Sequence, residues 1–151
     1  MAIGSRDIEL LAADDSPVAV GCARENLARV NGRVYEGDLF AALPRAEIHS
    51  LDVIVANAPY VPTAEIQRLP AEARLYEPLS TLDGGPDGMS VQKRILESAA
   101  EWLRSPGVVL IETAEEMADL TLETAREAGF MPAIRVCADH DATVMIATLL
   151  A

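Results

Sequence analysis

The run Leu51-Asp52-Val53-Ile54-Val55-Ala56, followed at once by Asn57-Ala58-Pro59-Tyr60, constrains this chain more than any other segment. The run is dominated by β-branched side chains and is apolar on both faces toward its end, the pattern of a parallel strand covered by helices. A parallel strand needs crossover connections, so strands and helices should alternate along the rest of the chain. The sequence has that alternation. Ile8 to Ala13 reads as a strand, stopped by Asp14-Asp15-Ser16-Pro17, which puts Pro at the favoured first position of a helix. That helix runs from Pro17 to about Val30, with Val18, Cys22, Leu27 and Val30 spaced to share an apolar face, and Asn31-Gly32 closes it. Arg33 to Glu36 is a brief strand ending at Gly37-Asp38, and Leu39 to Leu43 forms a turn of helix.

Beyond Tyr60 the chain is rich in proline and glycine as far as Ser90, and much of that stretch is expected to be loop. A helix from Val91 to Leu103 ends near Ser105-Pro106-Gly107 and leads into the strand Val108 to Glu112; a helix from Glu115 to Ala128 is closed by Gly129. Two β-rich runs, Ala133 to Cys137 and Thr143 to Leu149, flank the turn Ala138-Asp139-His140-Asp141 and should pair antiparallel. The expected fold is α/β, a mostly parallel sheet with helices on both faces and a C-terminal antiparallel hairpin.

Length and charge restrict the function classes. The 151 residues suit a single domain, 1–151, and with aromatics at 4% its core must be built mainly from Ala, Val, Ile and Leu. A net charge of −12 disfavours a nucleic-acid partner, because binding to a phosphate backbone relies on clustered Lys and Arg. Cys22 and Cys137 stand at no metal-ligand spacing and are expected to be reduced thiols in or near the core; no metal site is expected. His49 and His140 lie beside no candidate nucleophile, and the Ile95, Leu96, Trp102 and Leu103 cluster reads as a core face. No apolar stretch approaches the ~20 residues of a membrane span, and the N-terminal residues do not resemble a secretory signal, so the protein is expected to be cytoplasmic.

Ligands of open α/β sheets bind beyond the carboxyl ends of the strands. Asp14, Asp38 and Asn57 each follow a strand there, and one sheet would set them along one rim. A carboxylate at such an end can accept from ribose hydroxyls or from an adenine amine, although Asp is equally a turn former and helix cap. At Asn57-Ala58-Pro59-Tyr60 the amide oxygen and a neighbouring backbone carbonyl can accept both hydrogens of a substrate NH2 group. Tyr60 can pack on its plane and Pro59 stiffens the backbone. Out of context the same four residues also suit an ordinary Asn-Pro-type turn with an anchoring tyrosine.

The chain resembles the HemK/PrmC family of protein-glutamine methyltransferases, whose signature is usually Asn-Pro-Pro-Tyr. The match continues through Ala73-Arg74-Leu75-Tyr76-Glu77-Pro78-Leu79, Leu82-Asp83-Gly84-Gly85 and Asp87-Gly88-Met89, and is collinear from about Ile8 to Leu150. The resemblance implies a Rossmann-like class I methyltransferase sheet that uses S-adenosylmethionine. Asp14 would bind the cofactor's ribose, Asp38 would lie near its adenine, and Asn57 with the carbonyl of Ala58 would hold a glutamine amide of a protein substrate such as a release factor. Pro59 and Tyr60 would complete the site, and Glu77 and Pro78 would help form a substrate loop. Ala58 departs from the usual proline but keeps the backbone carbonyl. The family's Gly-rich cofactor turn and the strand before it have no counterpart in Met1-Ala2-Ile3-Gly4-Ser5-Arg6-Asp7. An N-terminally truncated domain is therefore expected, with its first strand and helix missing. Either the Ile8 and Leu51 strands pair directly, or a partner chain fills the gap, or Met1 is not the native start. Two other readings remain open: a non-catalytic remnant acting as an oligomeric binding module, and a nucleic-acid amino-methyltransferase.

Overall fold

The structure, a computed structural model, describes residues 8–140 and 142–150. The expected Asp141 of the hairpin turn and the segment Met1 to Asp7 lie outside the described residues. The chain forms two compact units, Met1–Glu47 and Ile48–Ala151.

In the first unit, β1 (Leu11–Asp14) and β2 (Arg33–Glu36) pair in parallel and are joined by α1 (Pro17–Leu27). The polar stop at the start of α1 works as its composition suggests. The Ser16 hydroxyl accepts from the Ala19 amide at 3.4 Å, Pro17 follows in the first turn, and the Asp14 carboxylate accepts from the Ser16 amide at 2.8 Å. A 3-10 turn, Ala28–Val30, continues the helix to a left-handed Asn31 with φ of 54°. The apolar face expected of Val18, Cys22, Leu27 and Val30 is not buried: within α1 only Val20 is, and Val18 is 77% exposed. A two-stranded sheet offers too little surface to cover a helix face. Cys22 and Cys137 are both exposed, which corrects their expected place in the core.

The second unit is a four-stranded sheet in the order β3-β4-β6-β5, made of β3 (Leu51–Ala56), β4 (Leu103–Thr113), β5 (Met131–Cys137) and β6 (Ala142–Leu149). β3 and β4 are parallel, and β6 runs antiparallel to both β4 and β5. Helix α4 (Ser90–Trp102) and helix α5 (Ala118–Glu127) supply the core of this unit. Ile95, Leu96, Ala99 and Trp102 of α4 and Ala125 of α5 are buried, as are the alternate strand residues Val109, Ile111, Met145 and Ala147. The opposite sheet face is more open. Val53 is 54% and Val55 is 76% exposed, so β3 is an edge strand left open on one face rather than covered on both as its apolar run suggested.

Direct pairing of the first strand with β3 does not occur among the described residues, where β1 pairs with β2 and β3 with β4. The proline-rich connection also holds more structure than expected. It contains a 3-10 segment (Thr63–Arg68), α2 (Ala71–Tyr76) and α3 (Leu79–Leu82). Pro62, Pro70 and Pro78 each stand just before one of these, where a fixed φ and a missing N–H cost nothing. The helix after them ends at Trp102, and β4 starts at once at Leu103, before the Ser105-Pro106-Gly107 punctuation.

Candidate active site

The β3–β4 register pairs Ala56 with Ile111, so the next residues, Asn57 and Glu112, reach the carboxyl end of the sheet side by side. Both line a pocket of about 160 Å³ whose other walls are Val55, Ala56, Leu110 and Val144, an apolar floor with one amide and one carboxylate. Asn57 is exposed and its side chain makes no hydrogen bond among the described residues. Ala58 is only 5% exposed, yet no donor among the described residues reaches its carbonyl. The buried Ala58 carbonyl is an acceptor that a folded chain normally satisfies, and it follows directly on the exposed Asn57 amide. The half-buried Tyr60 has its hydroxyl pKa raised above the ordinary value, first by burial and then by the negative charges of Glu112 and Glu116.

A glycine loop clamps the backbone of this segment. Val61 donates to the carbonyl of Leu82 at 3.1 Å, Gly84 to that of Val61 at 2.9 Å, and Thr63 to that of Gly85 at 2.9 Å. A side chain on Gly84 would stand 2.8 Å from the Pro59 carbonyl oxygen, and one on Gly88 would stand 2.4 Å from that of Tyr60. Gly88 also has φ of +79°, so glycine is needed there for both conformation and space. Asp83 ties the loop together, accepting from the Thr63 hydroxyl at 2.7 Å and the Gly85 amide at 2.9 Å, and these bonds hold its carboxyl below the usual range. What composition read as loose loop is a close-packed support for the Asn57 to Tyr60 backbone.

Beneath the end of β4 lies a buried polar cluster. The Thr121 hydroxyl is 3.1 Å from that of Thr113 and donates to the Gln92 carbonyl oxygen at 3.2 Å, while the Gln92 amide nitrogen donates to the Glu112 carbonyl at 3.5 Å. Gln92 and Thr121 are fully buried and Thr113 nearly so. These bonds join α4 and α5 to the strand end that carries Glu112. Neither this cluster nor Glu112 stood out in the sequence. Glu112 could have been found there, because it is an acid at the carboxyl end of a buried strand, the criterion that singled out Asp14 and Asp38.

Asp14 and Asp38 belong to the first unit and Asn57 to the second, so the three do not line the rim of one sheet. Asp14 is the last residue of β1, one position earlier than expected, and Gly37 donates to its carbonyl at 2.9 Å. One carboxylate oxygen of Asp14 holds the Ser16 amide, which leaves the other to accept from a ligand hydroxyl. Asp38 is exposed at the start of the 3-10 turn Leu39–Ala42. Carboxylates at the ends of two adjacent parallel strands fit the nucleoside half of an adenosine-type cofactor. Glu77 and Pro78 form the exposed joint between α2 and α3, and the far end of α3 accepts from the Val61 amide through the Leu82 carbonyl. Among the described residues no group of His, Cys, Asp or Glu could hold a metal ion, and no helix is long and apolar enough to cross a membrane.

The chain is similar to known glutamine methyltransferases. The release factor glutamine methyltransferase of Geobacter sulfurreducens is 36% identical over 124 residues, covering 81% of this chain and 43% of the relative. That of Moorella thermoacetica is 38% identical over 122 residues, covering 78% and 42%. The ribosomal protein uL3 glutamine methyltransferase of Burkholderia pseudomallei is 42% identical over 91 residues, covering 58% and 29%. The chain thus spans under half the length of the curated relatives it matches. Among solved structures, a methyltransferase from Pyrococcus furiosus matches with a TM-score of 0.69 at 17% identity, covering 95% of this chain and 64% of that one. An S-adenosylmethionine-dependent O-methyltransferase from Thermotoga maritima matches with 0.61 at 12% identity, covering 99% and 52%. These likenesses carry the class I methyltransferase fold alone. No protein-family profile matches the chain.

Proposed function

Because this chain belongs to the HemK/PrmC family of protein-glutamine methyltransferases, we propose that its two units act as one methyltransferase domain on a glutamine side chain of a protein substrate. A release factor or ribosomal protein is the substrate class that the relatives' names suggest. The carrying observation is a pair of consecutive acceptors, the Asn57 side chain and the Ala58 carbonyl, that have no donor among the described residues, with Asn57 lining an apolar pocket. An NH2 group has two hydrogens to donate, and a primary amide satisfies both acceptors at once.

S-adenosylmethionine is the proposed cofactor, supplying an electrophilic methyl group on a positively charged sulfur. Asp14 and Asp38 would hold its nucleoside half. Asn57 and the Ala58 carbonyl orient the acceptor amide, Tyr60 packs against its plane, and the glycine loop keeps that backbone from moving. The contribution of these residues is positioning, which can lower a barrier by several kcal/mol without strong base chemistry. Glu77 and Pro78 would meet the substrate protein beside the site. Cytoplasmic location is part of the same reading.

Incubation of the purified protein with methyl-labelled S-adenosylmethionine and a bacterial release factor tests it. The expected result is label on a glutamine side-chain nitrogen. A chain that shows no saturable cofactor binding by calorimetry and transfers no label refutes the enzyme reading and favours a binding module.

A further inference from the structure

The pocket beside Asn57 has one polar wall that the proposed chemistry leaves unused. Glu112 is half-buried, shares a sheet face with Leu110, and stands level with Asn57 across the β3–β4 register. No Lys or Arg among the described residues pairs with its carboxylate, and the residue lines the pocket with Val55, Leu110 and Val144. Its backbone is held in place by Gln92, so the carboxylate projects from a fixed strand end.

We infer that Glu112 is the specificity-determining residue of this site, making the pocket accept a neutral carboxamide and reject the isosteric carboxylate, glutamine against glutamate. The inference rests on the glutamine reading above. A carboxylate at a protein surface repels a second carboxylate brought beside it, and the protein side of the pocket screens this less than bulk water does. It leaves a carboxamide, which brings N–H donors and no net charge, unopposed. Asn57 alone cannot discriminate in this way, since its side chain can rotate to present either its oxygen or its NH2 group. Glu112 also acts on Tyr60, whose hydroxyl pKa is raised by burial first and by the charges of Glu112 and Glu116 after it. Rejection by an unpaired charge is a common means of building specificity.

Two synthetic peptides differing only in Gln against Glu, titrated into the full chain and followed by calorimetry or chemical-shift changes, test this. The intact protein should bind the glutamine peptide on the order of tenfold tighter, as expected for a pair of like charges near a protein surface. Glu112→Gln should shrink the preference severalfold, mainly by strengthening the glutamate peptide, and leave the part that the acceptor-only Ala58 carbonyl sets. Glu115→Gln, which removes an exposed charge outside the pocket lining, should leave the preference intact. A preference undiminished in Glu112→Gln overturns the assignment and leaves the glutamine reading standing. If the intact protein binds neither peptide, or both equally, the glutamine reading fails and takes this assignment with it. Glu112 makes no side-chain hydrogen bond among the described residues, so an unchanged unfolding midpoint for Glu112→Gln checks that the fold is intact.

Discussion

Gly88→Ala is the sharpest test of how the site backbone is held. The new Cβ would lie 2.4 Å from the Tyr60 carbonyl oxygen, 3.1 Å from the Met117 methyl carbon and 3.3 Å from Pro62 Cδ. The first contact must open by more than half an ångström, and its partner is backbone, so the relief comes from moving Tyr60. A side chain at this left-handed φ costs about 1–2 kcal/mol, and overpacking of this kind costs about 1–3 kcal/mol more. Gly129 separates the two contributions: its φ is +88° but nothing lies within 4 Å of its Cβ position. Gly129→Ala should therefore lose only the conformational part, about 1–2 kcal/mol, and Gly88→Ala about 2–5 kcal/mol. Gly21, inside α1 with open space around it, provides a control of opposite sign, and Gly21→Ala should gain about 0.5–1 kcal/mol. Urea unfolding followed by circular dichroism measures all three. Equal losses at Gly88 and Gly129, within about 0.5 kcal/mol, would mean that the loop does not press on Tyr60 and would refute the clamp.

Thr121→Val leaves Thr113 without its hydroxyl partner and Gln92 without a donor in a fully buried site, so unfolding should become easier by about 1–3 kcal/mol, read from the same denaturation curves. Asn57→Ala should abolish binding of a glutamine peptide while leaving the unfolding midpoint unchanged, because the side chain has no intramolecular partner among the described residues; a large stability loss would show that it is structural. Tyr60 should ionise above the ordinary phenol value when its phenolate absorbance is followed upward from pH 9. Its folded pKa is raised above the unfolded value of about 10, so its contribution to stability is whole below pH ~10 and is lost as pH rises through the folded value. Glu112→Gln should move the Tyr60 step down, and an unmoved step would show that the carboxylate does not act on Tyr60.

Much of this protein was determined by short stretches of sequence. The β3 run, the Ser16-Pro17 start of α1, the Gly129 stop after α5 and the β5–β6 pairing all follow from neighbours within a few positions. Local backbone sterics and capping decide such features. Asn57-Ala58-Pro59-Tyr60 was legible for the same reason, since its open acceptors and its aromatic are consecutive. Features set by which strands and faces meet were decided only in the tertiary structure. Glu112 stands beside Asn57 because of a register between residues far apart in the chain. The apolar stripe of α1 lies open, and β3 is exposed on one face, because burial depends on what covers a surface and not on its hydrophobicity. Gly84 and Gly88 are hemmed in by the carbonyls of Pro59 and Tyr60, more than twenty residues earlier, a contact that no local spacing encodes.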